Sequence, residues 1–394
     1  MKNRDPRKDT LLINAGRSKE YTGRAVNPKI VRASTIVFDS VADMHESGRR
    51  RLGPVEYYGR RGTSTTFAFQ QAMCQLEEAA GCFVYPSGTS ALTTALLAFL
   101  NQGDHLLMVD SAYEPTRDFC VGTLSEKGVE VSYYDPLDTN SLVKLIQSNT
   151  RVIFMESPGS LTMEVQDVPK IVQIAADHDL VTVIDNTFAT AYNFAPIPMG
   201  VDVSVQSGSK YLCGHSDIML GVACCSEKAW PRLQQISLEL GLCASVDDIY
   251  TALRGLRTMG VRLRQHDESA LHIAQWLSGC DEVDHVLHPA FAACPGHEFY
   301  ERDFSGGNGL FSFVLNGRSS AAVAAMVDGY HHFKLGFSWG GYESLALPAA
   351  GLSNRKFNRL REDQTLIRLH IGLESIDDLI EDLSEGFKRL NAAR

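Results

Sequence analysis

Between residues 63 and 245 short apolar runs alternate with helical stretches. The runs are HLLMV (105–109), RVIFM (151–155), LVTVI (180–184), VDVSV (201–205) and GVACC (221–225). Strands that are apolar on both faces need cover on both faces, so this rhythm predicts a mainly parallel sheet between two layers of helix. After four of the runs the chain turns polar at once, giving DSAYEP, ESPGS, DNTF and QSGSKY. Ligands of open α/β sheets bind beyond the carboxyl ends of strands, so four such endings predict one site assembled from all of them.

The flanks have other patterns. Residues 1–62 lack helical periodicity, carry NAGRSKEYTG and RRRLGPVEYYGRRGT, and read as an extended arm. Residues 63–250 form the expected main domain. A helical connection over 246–278, with Leu253, Leu256, Met259 and Leu263 near one face, leads into a second domain over 251–394. That domain is expected to be α+β, with strands GLFSFVL (309–315) and TLIRLHI (365–371), an alanine-rich helix between them and a closing helix over 375–391. Ser375 with Asp378 predicts a capping box, and Ile376, Leu379, Ile380, Leu383, Phe387 and Leu390 predict one apolar stripe.

Composition narrows the classes of function. Of 394 residues, 37 are basic and 47 acidic, a formal charge of −10 that argues against nucleic acid or an anionic membrane as the main partner. The short basic run GRRR at 48–51 does not change this. The nine cysteines have neither disulfide-framework nor zinc spacing, and the H-x-x-H of His285 and His288 reads as a loop, so no metal is expected. No basic-then-apolar signal opens the chain and no apolar stretch is long enough to span a bilayer; the expectation is a cytoplasmic protein.

The chemistry collects at the strand ends. Lys210, in SGSK, is either a surface lysine or a placed amine, and the neighbouring hydroxyls of Ser207 and Ser209 suit an aldehyde cofactor that carries a phosphate. Asp185 ends LVTVI, where it either caps a helix or faces a cation such as a pyridinium nitrogen. In YPSGTSALTTALLAFL the N–H groups of Gly88 and Thr89 open a helix that could take a phosphate, or simply begin there. Tyr113 could stack on a flat ring or sit half-buried at an interface. Arg368, inside an apolar strand, needs an anion: the carboxylate of an amino acid, or a structural acid.

Together SGSKYLCGHSD, IDNTF, ESPGSLTMEV, AYEP, EYYGRRGT, SWGGYESL and IRLHIGLE resemble the pyridoxal-phosphate enzymes of cysteine and methionine metabolism, in their bacterial β-lyase branch. The resemblance runs from about residue 10 to the C-terminus. It implies an aspartate aminotransferase-like (fold type I) large domain, a smaller C-terminal domain, and a homotetramer of dimers that share active sites. It also implies roles. Lys210 would be the Schiff-base lysine, Asp185 the pyridine partner and Tyr113 the stacked ring, which as a phenolate would also assist proton transfer. Gly88, Thr89, Ser207 and Ser209 would bind phosphate, with Tyr58 and Arg60 reaching it from the adjacent subunit. Arg368 would anchor the α-carboxylate, Ser338 and Trp339 would surround the substrate, and Arg61 with Asp118 would lie toward its distal end. Ser160 and Phe337 stand where γ-acting relatives carry asparagine and glutamate, which favours β-chemistry; the branch implies L-cystathionine as the substrate, although Phe337 replaces the tyrosine of enterobacterial β-lyases, and a broader lyase of cysteine, cystine or cysteine conjugates would use the same residues. Phe188 and Ser209 depart from the family's tryptophan and threonine.

Overall fold

Strands built from valine, isoleucine and leucine run where helices can cover both faces. The computed structural model describes residues 6–349 and 352–393, so the first five residues of the expected arm lie outside it. The large sheet comprises β1 (Gly81–Tyr85), β2 (His105–Val109), β3 (Glu130–Tyr134), β4 (Thr150–Glu156), β5 (Val181–Asp185), β6 (Val203–Ser207) and β7 (Gly221–Cys225). Their order is β1-β7-β6-β5-β4-β2-β3, parallel throughout except for β7, which runs against both neighbours. The carboxyl ends of β2, β4, β5 and β6 therefore open on one edge.

Local chemistry shifts some boundaries. β6 starts two residues later than the apolar run, because Asp202 is held at the strand entrance: Thr182 donates to its carboxylate through both N–H and hydroxyl. The shift makes Ser207 the last strand residue. β3 escaped the sequence pattern since it is a partly exposed edge strand, EVSYY, with no continuous apolar run.

The smaller sheet has the order β10-β11-β12-β9-β8, with β8 (Val283–Leu287), β9 (Leu310–Asn316), β10 (Lys334–Leu335), β11 (Leu345–Pro348) and β12 (Gln364–His370). His285 lies in β8 rather than in a loop, and His288 follows it into the core. The helix Val246–Leu277 joins the two bodies. Leu253, Leu256, Met259 and Leu263 pack with Phe67, Tyr211 and Leu212, while Ala270, Ile273, Ala274 and Leu277 pack with Phe311, Ile367 and Leu369 of the second core. Each fully buried leucine contributes about 2 kcal/mol to holding the two parts together.

Two expectations are corrected. The arm is partly helical, over Pro6–Asn14 and Val41–Arg49; Leu12 is buried, and Arg257 on the long helix donates to the carbonyls of Leu12 and Ala15. Packing thus supplies what the arm's periodicity lacks. The closing helix, Ile376–Ala392, has Ser375 at its N-cap position but its hydroxyl makes no cap bond, so there is no capping box. Asp377 and Asp378 place their carboxylates at the positive end of the helix instead.

On that helix Leu379, Leu383, Phe387 and Leu390 are buried, as is Asp382. Asp382 accepts the backbone N–H groups of His331, His332 and Phe333 at 2.9, 2.7 and 3.2 Å, which fixes the approach to β10. Asp382→Ala leaves these donors without their acceptor and should lower unfolding stability by about 2–4 kcal/mol, measured by denaturant titration.

Candidate active site

Asp185 and Glu156 end adjacent parallel strands and are register partners, so two carboxylates stand side by side. Burial pushes the Asp185 carboxyl up, and hydrogen bonds from Thr187 pull it back. Glu156 is pushed well above the usual carboxylate range by burial and then by the charge of Asp185. Thr187 resolves part of the conflict: its hydroxyl donates to Asp185 Oδ1 at 2.5 Å, its N–H donates to the same oxygen at 3.0 Å, and its Oγ1 accepts the N–H of Ser207 at 2.8 Å. One threonine thereby ties the end of β5 to the end of β6.

Lys210 follows in a tight loop that Arg262 braces by donating to the carbonyl of Tyr211 at 2.9 Å. Its Nζ donates to Ser338 Oγ at 2.5 Å and lies 5.4 Å from the centre of the Trp339 ring. Burial, then the nearby Arg368 cation, lowers the amine to about 8, while Asp185 and Glu343 act in the opposite sense. About a tenth of the amine is therefore neutral at pH 7, far more than an exposed lysine offers.

Arg368 sits in the middle of β12, between Leu347 and Ser312 of the neighbouring strands. Its Nη2 donates to the carbonyls of Gly336, Phe337 and Ser338 at 3.0–3.1 Å, and its buried Nε has no partner. No carboxylate pairs with it among the described residues, which removes the structural salt bridge as its explanation. A buried guanidinium with an unused donor is suited to a carboxylate ligand.

The other predicted residues divide into two groups. Gly88 opens the helix Gly88–Phe99 beside Ser207: a Cβ on Gly88 would come within 2.7 Å of Ser207 Cβ. The first N–H groups of this helix, at Gly88 and Thr89, have no acceptor within it. Tyr113 follows β2, and its N–H donates to Glu156 at 2.7 Å. Burial and the carboxylates of Glu156 and Asp185 push its phenol up, so the expected phenolate is not favoured in this arrangement. Ser209 accepts the N–H of Leu220 at 2.9 Å, which commits its hydroxyl to the loop between Lys210 and β7. Phe188 is buried beside the strand ends, and its carbonyl accepts from Asn308.

The arm stands apart. Tyr58, Arg60 and Arg61 share a cavity of about 470 Å³ with Arg32, Leu242 and Asp247, and no hydrogen bond joins them to Lys210 among the described residues. Asp118 is exposed on the helix Glu114–Phe119. Ser160 offers its carbonyl to Arg355 at 2.6 Å, and the Phe337 side chain is 87% exposed.

The sequence profile of the family described as Cys/Met metabolism PLP-dependent enzymes matches residues 9–388. The chain belongs to that family. It is 48% identical over 392 residues to cystathionine β-lyase MetC of Escherichia coli (strain K12), covering 98% of this chain and 99% of that one. It is 45% identical to cystathionine β-lyase of Haemophilus influenzae, covering 97% and 98% of the two chains. Among solved structures, cystathionine γ-synthase from Xanthomonas oryzae pv. oryzae in complex with cystathionine has a TM-score of 0.89 and 31% identity, covering 98% of each chain. Membership in the family makes this protein a pyridoxal-phosphate-dependent enzyme of fold type I.

Several residues of the site were not found from the sequence. Thr187 lies in the motif IDNTF, where a hydroxyl two positions beyond a strand-end aspartate was the available signal. Arg355 comes from a stretch without periodicity and had no signal; it donates to Ser160 O and to Thr162 Oγ1, each at 2.6 Å. Thr187→Val leaves Asp185 Oδ1 and the Ser207 N–H without their shared hydroxyl. It should weaken cofactor retention about tenfold, read from visible absorbance after dialysis against graded free cofactor.

Proposed function

We propose that the protein is a carbon–sulfur β-lyase that cleaves L-cystathionine, with water, into homocysteine, pyruvate and ammonia, a step of methionine biosynthesis. The observation that carries this reading is the meeting of Lys210 and Arg368 at Ser338. The lysine amine donates to the Ser338 hydroxyl while Arg368 donates to the Ser338 carbonyl, so a proton acceptor and a carboxylate anchor flank one position. The E. coli and H. influenzae relatives carry the name of this activity.

The residues fit pyridoxal phosphate. The N–H groups of Gly88 and Thr89, without an acceptor among the described residues, and the hydroxyl of Ser207 beside Gly88 suit a phosphate. The buried Asp185 carboxylate suits a cationic ring nitrogen, and the Lys210 amine suits an aldehyde. When bound, this cofactor supplies an aldehyde that bonds amines and an electron-accepting ring. Asp185, steadied by Thr187, would keep that ring nitrogen protonated, and Tyr113 would supply an aromatic face for the ring. The guanidinium of Arg368 orients the substrate carboxylate, and Lys210 Nζ, neutral at that moment, takes the proton from the substrate Cα. The Cβ–S bond then breaks and the thiolate leaves as homocysteine.

Phe337 and Ser160 support β-chemistry rather than γ-chemistry, since neither position presents the side chain that γ-acting relatives carry. The exposed Phe337 ring also favours a second reading, activity on apolar cysteine conjugates. Pyruvate and homocysteine released together from cystathionine, with loss of both in Lys210→Ala, are the expected result. Turnover of cystine or S-alkylcysteine without a preference for cystathionine would select the broader lyase, and 2-oxobutyrate would select γ-chemistry. Because the Lys210 amine reacts only as the free base, its acylation by an amine-specific reagent in the cofactor-free protein should speed up through about pH 8 and level off above it. A rise that continues to the ordinary lysine range would show that burial does not tune the amine.

The same reading makes the enzyme a cytoplasmic homotetramer of dimers. All nine cysteines are free thiols, which suits a reducing compartment. Tyr58 and Arg60, exposed on the arm, would complete the phosphate site of an adjacent subunit, with Arg61 and Asp118 toward the distal end of its substrate. Mixing Lys210→Ala subunits with Arg60→Ala subunits should restore part of the activity once exchange is demonstrated, because one mixed site then has both residues.

A further inference from the structure

Arg368 is not the only polar residue that β12 turns toward the Lys210 loop. His370 lies two positions further along the strand, on the same face, and is fully buried. Its Nε2 stands 3.0 Å from the N–H of Gly340, and its Nδ1 stands 3.0 Å from the carbonyl of Glu343. These two partners fix its state. A backbone N–H only donates, so Nε2 carries no proton; a carbonyl only accepts, so Nδ1 carries one.

The two residues of β12 grip successive parts of one loop. Arg368 holds the carbonyls of 336–338, and His370 holds Gly340 and Glu343 across the following turn. Between them stand Ser338, which accepts from Lys210 Nζ, and Trp339, whose ring faces that amine. Gly340 itself, at φ +88°, rests on the lysine's own backbone: a Cβ there would come within 3.0 Å of Tyr211 N and 3.1 Å of Lys210 Cα. Any movement of Gly340 is therefore felt at Lys210.

We infer that His370, as the neutral Nδ1–H imidazole, is a positioning residue that clamps the 340–343 turn onto the backbone of Lys210 and so sets where the lysine amine stands. The surroundings keep the ring neutral. Burial disfavours its cation first, and His266 from the long helix, Arg368 from its own strand and Lys210 from the loop after β6 act in the same sense, while Glu343 enters through its carbonyl. The Tyr211 and His266 rings, at 6.0 and 5.3 Å between centres, wall it off from water. The motif IRLHIGLE thus contains two functional side chains, the anion-seeking arginine and the histidine that shapes the loop above it.

Two variants separate the clamp from simple core filling. His370→Asn keeps an amide N–H near the Nδ1 position but has no atom at Nε2, whereas His370→Gln keeps an amide oxygen within reach of the Gly340 N–H. Expected are a fall in kcat on the order of tenfold for His370→Asn with KM changed far less, and near wild-type kcat for His370→Gln. In the holoenzyme, amide hydrogen exchange over 338–343 should accelerate in His370→Asn and stay slow in His370→Gln. Equal loss of kcat in both variants, or unchanged exchange in His370→Asn, would overturn the clamp. Should neither variant fold, the wild type still decides: the Gly340 amide must exchange slowly although it lies in a loop, and fast exchange there refutes the inference. The inference rests on Lys210 being the catalytic lysine, but exchange requires no turnover, so the clamp and that assignment fail separately.

Discussion

Asp185 stands at the end of a strand whose neighbours are buried on both faces, so its charge is removed from water, with Glu156 placed beside it by register. A pair of carboxylates in that position is unfavourable unless something offsets it. Thr187 does so in part through two hydrogen bonds, and Lys210 contributes a positive charge within electrostatic reach. On the proposed reading, a cationic ring nitrogen of the bound cofactor would relieve the remaining cost. The chain holds a destabilised carboxylate at this strand end, and the surrounding sheet keeps it there.

The amine is handled by the opposite arrangement. Lys210 is desolvated beside a second cation, Arg368, so its proton is loosely held. Arg368 in turn has three carbonyls but no acid among the described residues, which leaves its charge available to an anion, on the proposed reading the substrate carboxylate. Binding that carboxylate would offset the positive charge felt by Lys210. If Arg368 binds substrate and Lys210 is the base, as proposed, recognition and the state of the base would be coupled by distance alone, with no moving part required.

Much of this was legible in the sequence because parallel strands write themselves as apolar runs and end abruptly. HLLMV and GVACC are strands with the bounds their apolarity gives, and Lys210, Asp185 and Arg368 were each conspicuous as a charge beside or inside such a run. Other features depend on register or on packing, which no local pattern encodes. Glu156 acquires its meaning only from facing Asp185 across β4 and β5. Ser209 reads as a phosphate ligand beside Lys210, and the N–H of Leu220, eleven residues on, which donates to its hydroxyl and fixes where it stands, has no local signal. The arm's first helix forms because the long helix offers Arg257 to its last carbonyls.

The division into two bodies has a consequence for how precisely the site is held. Asp185 ends a strand of the large sheet and Lys210 follows another, whereas Arg368 and His370 belong to the small sheet, so the relation between the amine and the guanidinium is set by whatever joins the sheets. One such element is the helix Val246–Leu277, buried against one core along its first half and another along its second, and Leu310, Val314 and Leu366 of the small sheet also pack into the core of the large one. The polar contacts across the junction repeat the link at the site itself. Arg262 and His266, one turn apart on this helix, brace the carbonyl of Tyr211 on one side and of Ile371 on the other. A single helix therefore fixes the loop after Lys210 and the end of β12 to the same axis, which is why residues from separate sheets can meet within hydrogen-bonding distance at Ser338.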